Sequence, residues 1–225
     1  MFEQRPIEHH IQKYIIGVLI HQKYARFRDL RPPKVDTNLF SYHLKCLLTT
    51  QWVEKNDHGY TLTPLGLSYV DRVSIKALNV RSQPKIITML LIQNSDGDVL
   101  LQRRKKQPYI DTWTLPYGKT HIDDKSLLAS AQREAGEKLQ LYDTSLRHVG
   151  DVYIRVRHVG EIMSTTLAHV FRFETDDIPA DDDMQWVQPL KLARLNLAPA
   201  VEAIVTRSFF GDEHYFAEFE EDWIE

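Results

Sequence analysis

Apolar residues follow two different rhythms along the chain, and the change falls near residue 80. Ile11, Tyr14, Ile15, Val18 and Leu19 recur at helical spacing and predict one amphipathic helix. After Ala25 a short Arg/Leu stretch ends at Pro32-Pro33, which a helix interior does not tolerate. Asp36 is a candidate N-cap for a helix whose buried face is Phe40, Leu44, Leu47 and Leu48. Trp52–Lys55 and Tyr60–Thr63 flank Asn56-Asp57-His58-Gly59 and predict a hairpin. Pro64 then opens a helix carrying Leu67, Val70 and Val73. Residues 76–84 have no periodicity and hold Asn79, Ser82, Gln83 and Pro84, so a domain boundary is expected there. Beyond it, Ile86–Ile92 reads as a buried strand, 94–98 as a turn and Val99–Arg103 as a second strand. Leu127–Leu139 reads as a helix, 148–157 and 161–174 as strands around Val159-Gly160, and Leu190–Phe210 as a final helix interrupted near Pro199.

Helix, short helical stretch, helix, hairpin and helix within about 70 residues is the plan of a winged helix-turn-helix. Asn38–Leu48 resembles the recognition helix of winged-helix transcription regulators, and Tyr60–Gly66 resembles the join between wing and last helix. With Phe40, Leu44, Leu47 and Leu48 turned inward, Asn38, Ser41, Tyr42 and Lys45 face outward, where they can meet base edges or phosphates. Lys55 and His58 on the hairpin would lie near the adjacent DNA backbone. DNA is therefore an expected partner, and a homodimer follows because such readers commonly span two half-sites. A winged helix used only for protein contact is the alternative.

Charge supports two modules without proving them. Residues 1–80 hold 11 Lys/Arg against 7 Asp/Glu, and the remainder holds 17 against 24. The last stretch, 211–225, carries acids and no Lys or Arg, and reads as an acidic tail. One cysteine, Cys46, excludes an internal disulfide and a cysteine-built zinc site, and reads as a small buried residue. His9 and His10 read as solvated. No apolar run reaches the roughly 18 residues of a membrane span and the start has no secretory pattern, so a cytoplasmic protein with no membrane partner is expected.

In the second module, Leu100–Arg104, Trp113–Lys119 and Arg133–Lys138 together resemble the Nudix superfamily, whose box reads G-x5-E-x7-R-E-U-x-E-E-x-G-U with U apolar. Gly118 fits the first glycine, Arg133 and Glu134 the Arg-Glu pair, and Glu137 the next acid. Asp124 stands for the first acid with one residue too many before Arg133. Ala135 takes the apolar place, Lys138 replaces the last glutamate and Gln140 the last glycine. The resemblance implies an α/β/α sandwich around a mixed sheet (α+β) over 84–210, behind a mostly helical winged domain over 1–78. It also implies Mg2+ or Mn2+ and nucleoside diphosphates linked to a further group.

Carboxylates on one helix face suit those hard cations, since Glu134, Glu137 and position 138 stand at i, i+3 and i+4. By this resemblance Glu134, Glu137 and Arg133 are the catalytic candidates, with Glu134, Glu137 and Gly118 around the metal. Lys138 would weaken metal binding, pair with Glu134, or meet substrate phosphates as a point charge. Arg103 and Lys119 are further phosphate candidates, within or near the basic run Arg103–Lys106. Asp123, Asp124, Glu161 and, less readily, His121 are candidates to replace the missing ligand. Trp113 and Trp186 read as packing residues that could also stack on a base. The expectation is a regulator that senses a nucleoside-diphosphate derivative, with a Mg2+-dependent pyrophosphatase of reduced activity as the alternative.

Overall fold

In the computed structural model, residues 7, 9–73, 83–142, 144–210 and 213–223 are described. The chain divides into two compact units, 1–82 and 83–225. The boundary expected at 76–84 lies almost wholly outside the described residues.

The first unit opens with α1 (His10–His21), which buries Ile11, Ile15, Ile16 and Leu19. Ile16 takes the inward place expected of Tyr14, which is left largely exposed. His9 is half-buried, not free in solvent: its Nδ1 caps the Ile11 amide at 3.3 Å, and its ring stacks on His43 at 3.6 Å. Ala25 pairs with Tyr60 through two backbone hydrogen bonds of 3.0 and 2.9 Å. Where a short helical stretch was expected, residues 26–30 make a single turn closed by bonds to the Arg26 carbonyl.

Asp36 does cap the next helix, α2 (Thr37–Thr49), accepting from the Asn38 and Leu39 amides. Its core face is Phe40, His43, Leu44 and Leu47. Leu48 is only half-buried, and so is Cys46, expected inside. Strands β1 (Val53–Asn56) and β2 (Gly59–Leu62) form the hairpin. In α3 (Pro64–Val70), capped by Thr63, Tyr69 faces the core against Trp52, and Leu67 points out.

The second unit is an α/β/α layer structure around a mixed eight-stranded sheet. Its strands are β3 (Lys85–Gln93), β4 (Val99–Arg103), β5 (Trp113–Thr114), β6 (Tyr117–Lys119), β7 (Arg147–His158), β8 (Glu161–Glu174), β9 (Met184–Val187) and β10 (Tyr215–Asp222). The order is β10-β7-β8-β3-β4-β5, with β6 against β3 and β9 against β4. The β3–β8 and β7–β10 pairs are parallel. β3 is almost wholly apolar from Ile86 to Ile92, broken only by Thr88, because both its faces are covered. Ile87, Met89 and Leu91 join the core that packs on α5 (Val201–Phe210), while Leu90 and Ile92 join the core beneath α4 (Leu127–Leu139).

Two expectations fail here. The stretch 190–210 breaks near Pro199 as expected, but the part before the break is a 3-10 turn over Pro189–Arg194 and an extended link, not α-helix, and α5 follows. The acidic stretch is not a free tail, since Tyr215–Asp222 is β10, paired along its whole length with β7. Its Glu220 meets Arg157 at 2.6 Å and Arg155 at 3.7 Å. Among the described residues no helix is long and apolar enough to cross a membrane.

Candidate functional site

The Arg133-Glu134 pair sits on α4, whose inner face lies over β3 and β6. Ser126 caps the helix by accepting from the Ala129 amide at 3.0 Å. Glu134 is buried, and its carboxylate lies directly over Gly118. A β-carbon at position 118 would stand 1.6 Å from the Glu134 carboxyl carbon, so only glycine admits this packing. Gly118 therefore serves the site by seating Glu134.

Arg133 is clamped from several sides. It donates to both oxygens of Asp124 at 3.1 and 3.0 Å, to the Lys119 carbonyl at 2.9 Å and to Glu134 at 2.6 Å. Its hydrogen bonds hold the Asp124 carboxyl far below the usual carboxylate range. The extra residue before Arg133 is thus absorbed in the 120–126 loop, and Asp124 is spent on the arginine. Glu137 is exposed and 3.5 Å from Arg133.

Lys138 turns inward. Its ammonium donates to the Tyr117 carbonyl, lies 3.8 Å from Glu134 and sits 5.1 Å above the Tyr117 ring. Burial pushes its pKa down, and Arg104 adds to that, while Glu134 opposes it. A divalent ion on Glu134 would need that carboxylate and neighbouring oxygens such as the Tyr117 carbonyl. Both are engaged by Lys138, and Arg133 already bonds the carboxylate, so the site as built does not fit Mg2+ or Mn2+. Nor do the expected substitutes repair it. Asp123 and His121 are exposed in the loop. Glu161 lies eight residues along β8 from the position level with Gly118, about 26 Å away at strand rise.

On the other face of the sheet, toward α5, opens a cavity of about 440 Å³. Lys85, Arg104, Lys106 and Lys119 bring four positive charges to it, and among the described residues no carboxylate lines it. Tyr109, Tyr117, Ile154 and Val156 supply apolar and aromatic wall. The Arg104 guanidinium donates to the Pro108 carbonyl at 3.0 and 2.6 Å and lies over both tyrosine rings, 5.6 and 5.3 Å from their centres. The pKa of Lys85 is pushed down by burial and by repulsion from Lys119 and Arg104, the mark of crowded, unneutralised cations.

Of the phosphate candidates, Lys119 lines this cavity. Arg103 does not: it pairs with Asp111 at 2.9 Å, as Lys105 pairs with Asp183 at 2.5 Å. Arg104 and Lys106, in the loop that follows β4, reach the cavity. Lys138 lines a neighbouring cleft with Arg103 and Arg104. Trp113 and Trp186 both pack against core clusters, and the Trp186 indole donates to the Ile178 carbonyl at 2.9 Å. Sequence reasoning missed Lys85, Tyr109 and Tyr117, and offered Arg104 and Lys106 only as members of the basic run.

On α2, Asn38, Tyr42 and Lys45 are exposed and Ser41 is half-buried, all away from the core face. Lys55 is exposed on β1, 5.7 Å from the centre of the Tyr60 ring.

The buried Glu-over-Gly seat lies on a helix that covers one face of a mixed sheet, with a second helix on the other. Residues 83–208 fit the NUDIX domain family model, and the chain belongs to that family. A MutT protein from Bacillus halodurans is 18% identical with a TM-score of 0.50, over 60% of this chain and 89% of that one. The NUDIX domain of Shewanella oneidensis NrtR, solved with ADP ribose, is 16% identical with a TM-score of 0.48, over 66% and 97%. S. oneidensis NrtR solved with a 27mer DNA is 16% identical with a TM-score of 0.46, over 55% and 59%. No curated protein matches the chain.

Proposed function

We propose that this chain is a DNA-binding regulator whose NUDIX domain holds a nucleoside-diphosphate derivative without turning it over efficiently. The observation that carries this reading is Lys138, whose ammonium lies between Glu134 and the Tyr117 carbonyl. A fixed positive charge there takes the place of a metal that would have to be recruited. The cavity on the other face of the sheet suits the ligand class. Lys85, Arg104, Lys106 and Lys119 complement a diphosphate, and Tyr109 and Tyr117 offer faces to a base or sugar.

The first unit is read as a winged helix-turn-helix. Its order is helix, single bridging residue, turn, helix, hairpin and helix. In this reading α2 enters the major groove, Asn38, Ser41, Tyr42 and Lys45 meet the DNA, and Lys55 on the wing meets its backbone. A homodimer presents two such helices to two half-sites. The expected place of action is the cytoplasm.

The second reading is a slow Mg2+-dependent hydrolase with an accessory first unit. It draws on the intact seat of Glu134 over Gly118 and the Arg133 clamp. In that reading Lys138 would have to swing away from Glu134 before Glu134, Glu137 and Arg133 could form a catalytic face, with a metal on Glu134 and Glu137.

Lys138→Glu separates the two. In the regulator reading the wild type shows little or no Mg2+-dependent turnover of ADP-ribose. The variant then gains Mg2+ affinity by calorimetry and at least about tenfold in rate. Wild-type turnover of about 1 s⁻¹ or more overturns the regulator reading, since that lies within the ordinary enzyme range.

A further inference from the structure

On the α4 face of the sheet, away from the cationic cavity, a cluster of side chains has no part in the reading above. His148 and Asp151 come from β7, His169 from β8, and His214 from the residue before β10. The Asp151 carboxylate is the centre. His148 Nε2 is 2.9 Å and His169 Nδ1 2.5 Å from its Oδ1, and His214 Nε2 is 3.3 Å from its Oδ2. One donor atom each from His148, Asp151 and His169 falls within a span of 4.8 Å. Despite partial burial, which pushes the other way, hydrogen bonds from His169 and His148 keep the Asp151 carboxyl below its usual pKa.

Three features of the fold build this constellation. Residues 148 and 151 are three apart and would point to opposite faces of a regular strand. A bulge between His148 and Gly150 corrects the phase and turns both toward the same face. The His148 ring is then held by stacking on Phe171, 4.8 Å away. Gly150, lying flat beneath the Tyr215 ring, sets where β10 begins. A β-carbon there would stand 2.5 Å from that ring, and the Tyr215 hydroxyl is held by Ser208 at 3.1 Å. With Tyr215 fixed on one face, His214 reaches Asp151 on the other.

We infer that His148, Asp151, His169 and His214 form a binding site for a borderline transition-metal ion, Zn2+ in its most available form. Three imidazole nitrogens and one carboxylate oxygen are a Zn2+ donor set and a poor one for Mg2+, which takes oxygen ligands. Ligand atoms of a tetrahedral Zn2+ site stand about 3.4 Å apart, given bonds of about 2.0–2.1 Å. The contacts with Asp151, at 2.9, 2.5 and 3.3 Å, would open to that spacing on binding, and His214 would move in from outside the 4.8 Å span that the other three share. The site is distinct from the Glu134 face. Gly118 is level with Thr88, Thr88 with His169, and His169 with Asp151. The nearest of these imidazoles is therefore two strands, roughly 10 Å, from Gly118. An ion here would tie β7, β8 and β10 together.

The test uses full-length protein stripped with chelator and titrated with Co2+ in excess Mg2+. The expected result is one equivalent bound per chain, with the visible ligand-field bands of tetrahedral nitrogen and oxygen coordination, displaced by Zn2+. The double variant His148→Ala/His214→Ala should lose the bands and at least about tenfold in Zn2+ affinity by calorimetry. Glu134→Gln/Glu137→Gln should keep both. Should the double variant lose its fold by circular dichroism, Asp151→Asn, which preserves volume, takes its place with the same expectation. Absence of Co2+ bands in the wild type overturns the inference. So does their persistence without the histidines, or their loss in the Glu134/Glu137 variant.

Discussion

The Glu134 carboxylate occupies the space that a side chain on residue 118 would fill, so these two positions are one structural unit. Gly118→Ala should force Glu134 aside and cost about 1–3 kcal/mol, the usual range for overpacking. Removing the carboxylate should relieve that clash. In a double-mutant cycle with Glu134→Ala, read by denaturant melts, the coupling should be at least about 1 kcal/mol. Additivity within about 0.5 kcal/mol would mean that Gly118 is there for another reason. At this scale the sequence was informative where chemistry and spacing coincide: Gly118, Arg133 and Glu134 could be read from the box alone. Lys85, Arg104, Tyr109 and Tyr117 could not, because strand pairing and loop closure bring them together, not spacing. The histidine cluster was illegible for a sharper reason. A bulge breaks the period-two rule by which His148 and Asp151 would have been compared.

Among the elements, α4 was the most legible, since helix formers, broken only by Ser130 and Gly136, agree with the motif over Leu127–Leu139. Its end is less ordinary. Gln140 adopts a left-handed conformation at φ 57°, and Leu141 closes the turn by donating to the Ala135 carbonyl at 3.3 Å. This is the place where the family box carries glycine, and the conformation explains why. Gln140→Gly should stabilise the domain by about 0.5–1 kcal/mol, after allowing for the freer unfolded chain. That is a rise of roughly 2 °C in Tm by calorimetry. An unchanged or lower Tm would show that contacts of the glutamine side chain offset the strain. The final helix was misjudged because apolar spacing continues through Leu192, Leu195 and Leu197, while the chain around them forms a 3-10 turn and an extended link. In α1 Ile11, Ile15 and Leu19 are buried as expected, but Ile16 joins them in place of Tyr14, since both flank Ile15 and only packing chooses between them.

For the whole molecule, net charge is a weaker guide to partners than it first appears. Part of the acidity beyond residue 80 is neutralised within the sheet, where Glu220 pairs with Arg155 and Arg157. What bears on DNA is the local surface of α2, where Lys45 is exposed between Tyr42 and the turn that follows the helix. If that face meets a duplex, affinity is governed by the counterions that its cations release. Full-length protein should then bind a labelled duplex at 50 mM salt, and log Kd should rise linearly with log salt, with a slope of about 0.9 for each phosphate neutralised. Lys45→Ala should weaken binding on every sequence alike and lower that slope by about 1. In the regulator reading, saturating ADP-ribose should also shift the DNA Kd, and DNA should shift the ADP-ribose Kd by the same factor. Fluorescence anisotropy measures all three. No binding at 50 mM salt would leave α2 as a protein-contact surface. A slope unchanged in Lys45→Ala would place the DNA elsewhere. Binding of both ligands with no mutual shift would separate the two units in function, because a regulator needs a coupling free energy between its sites.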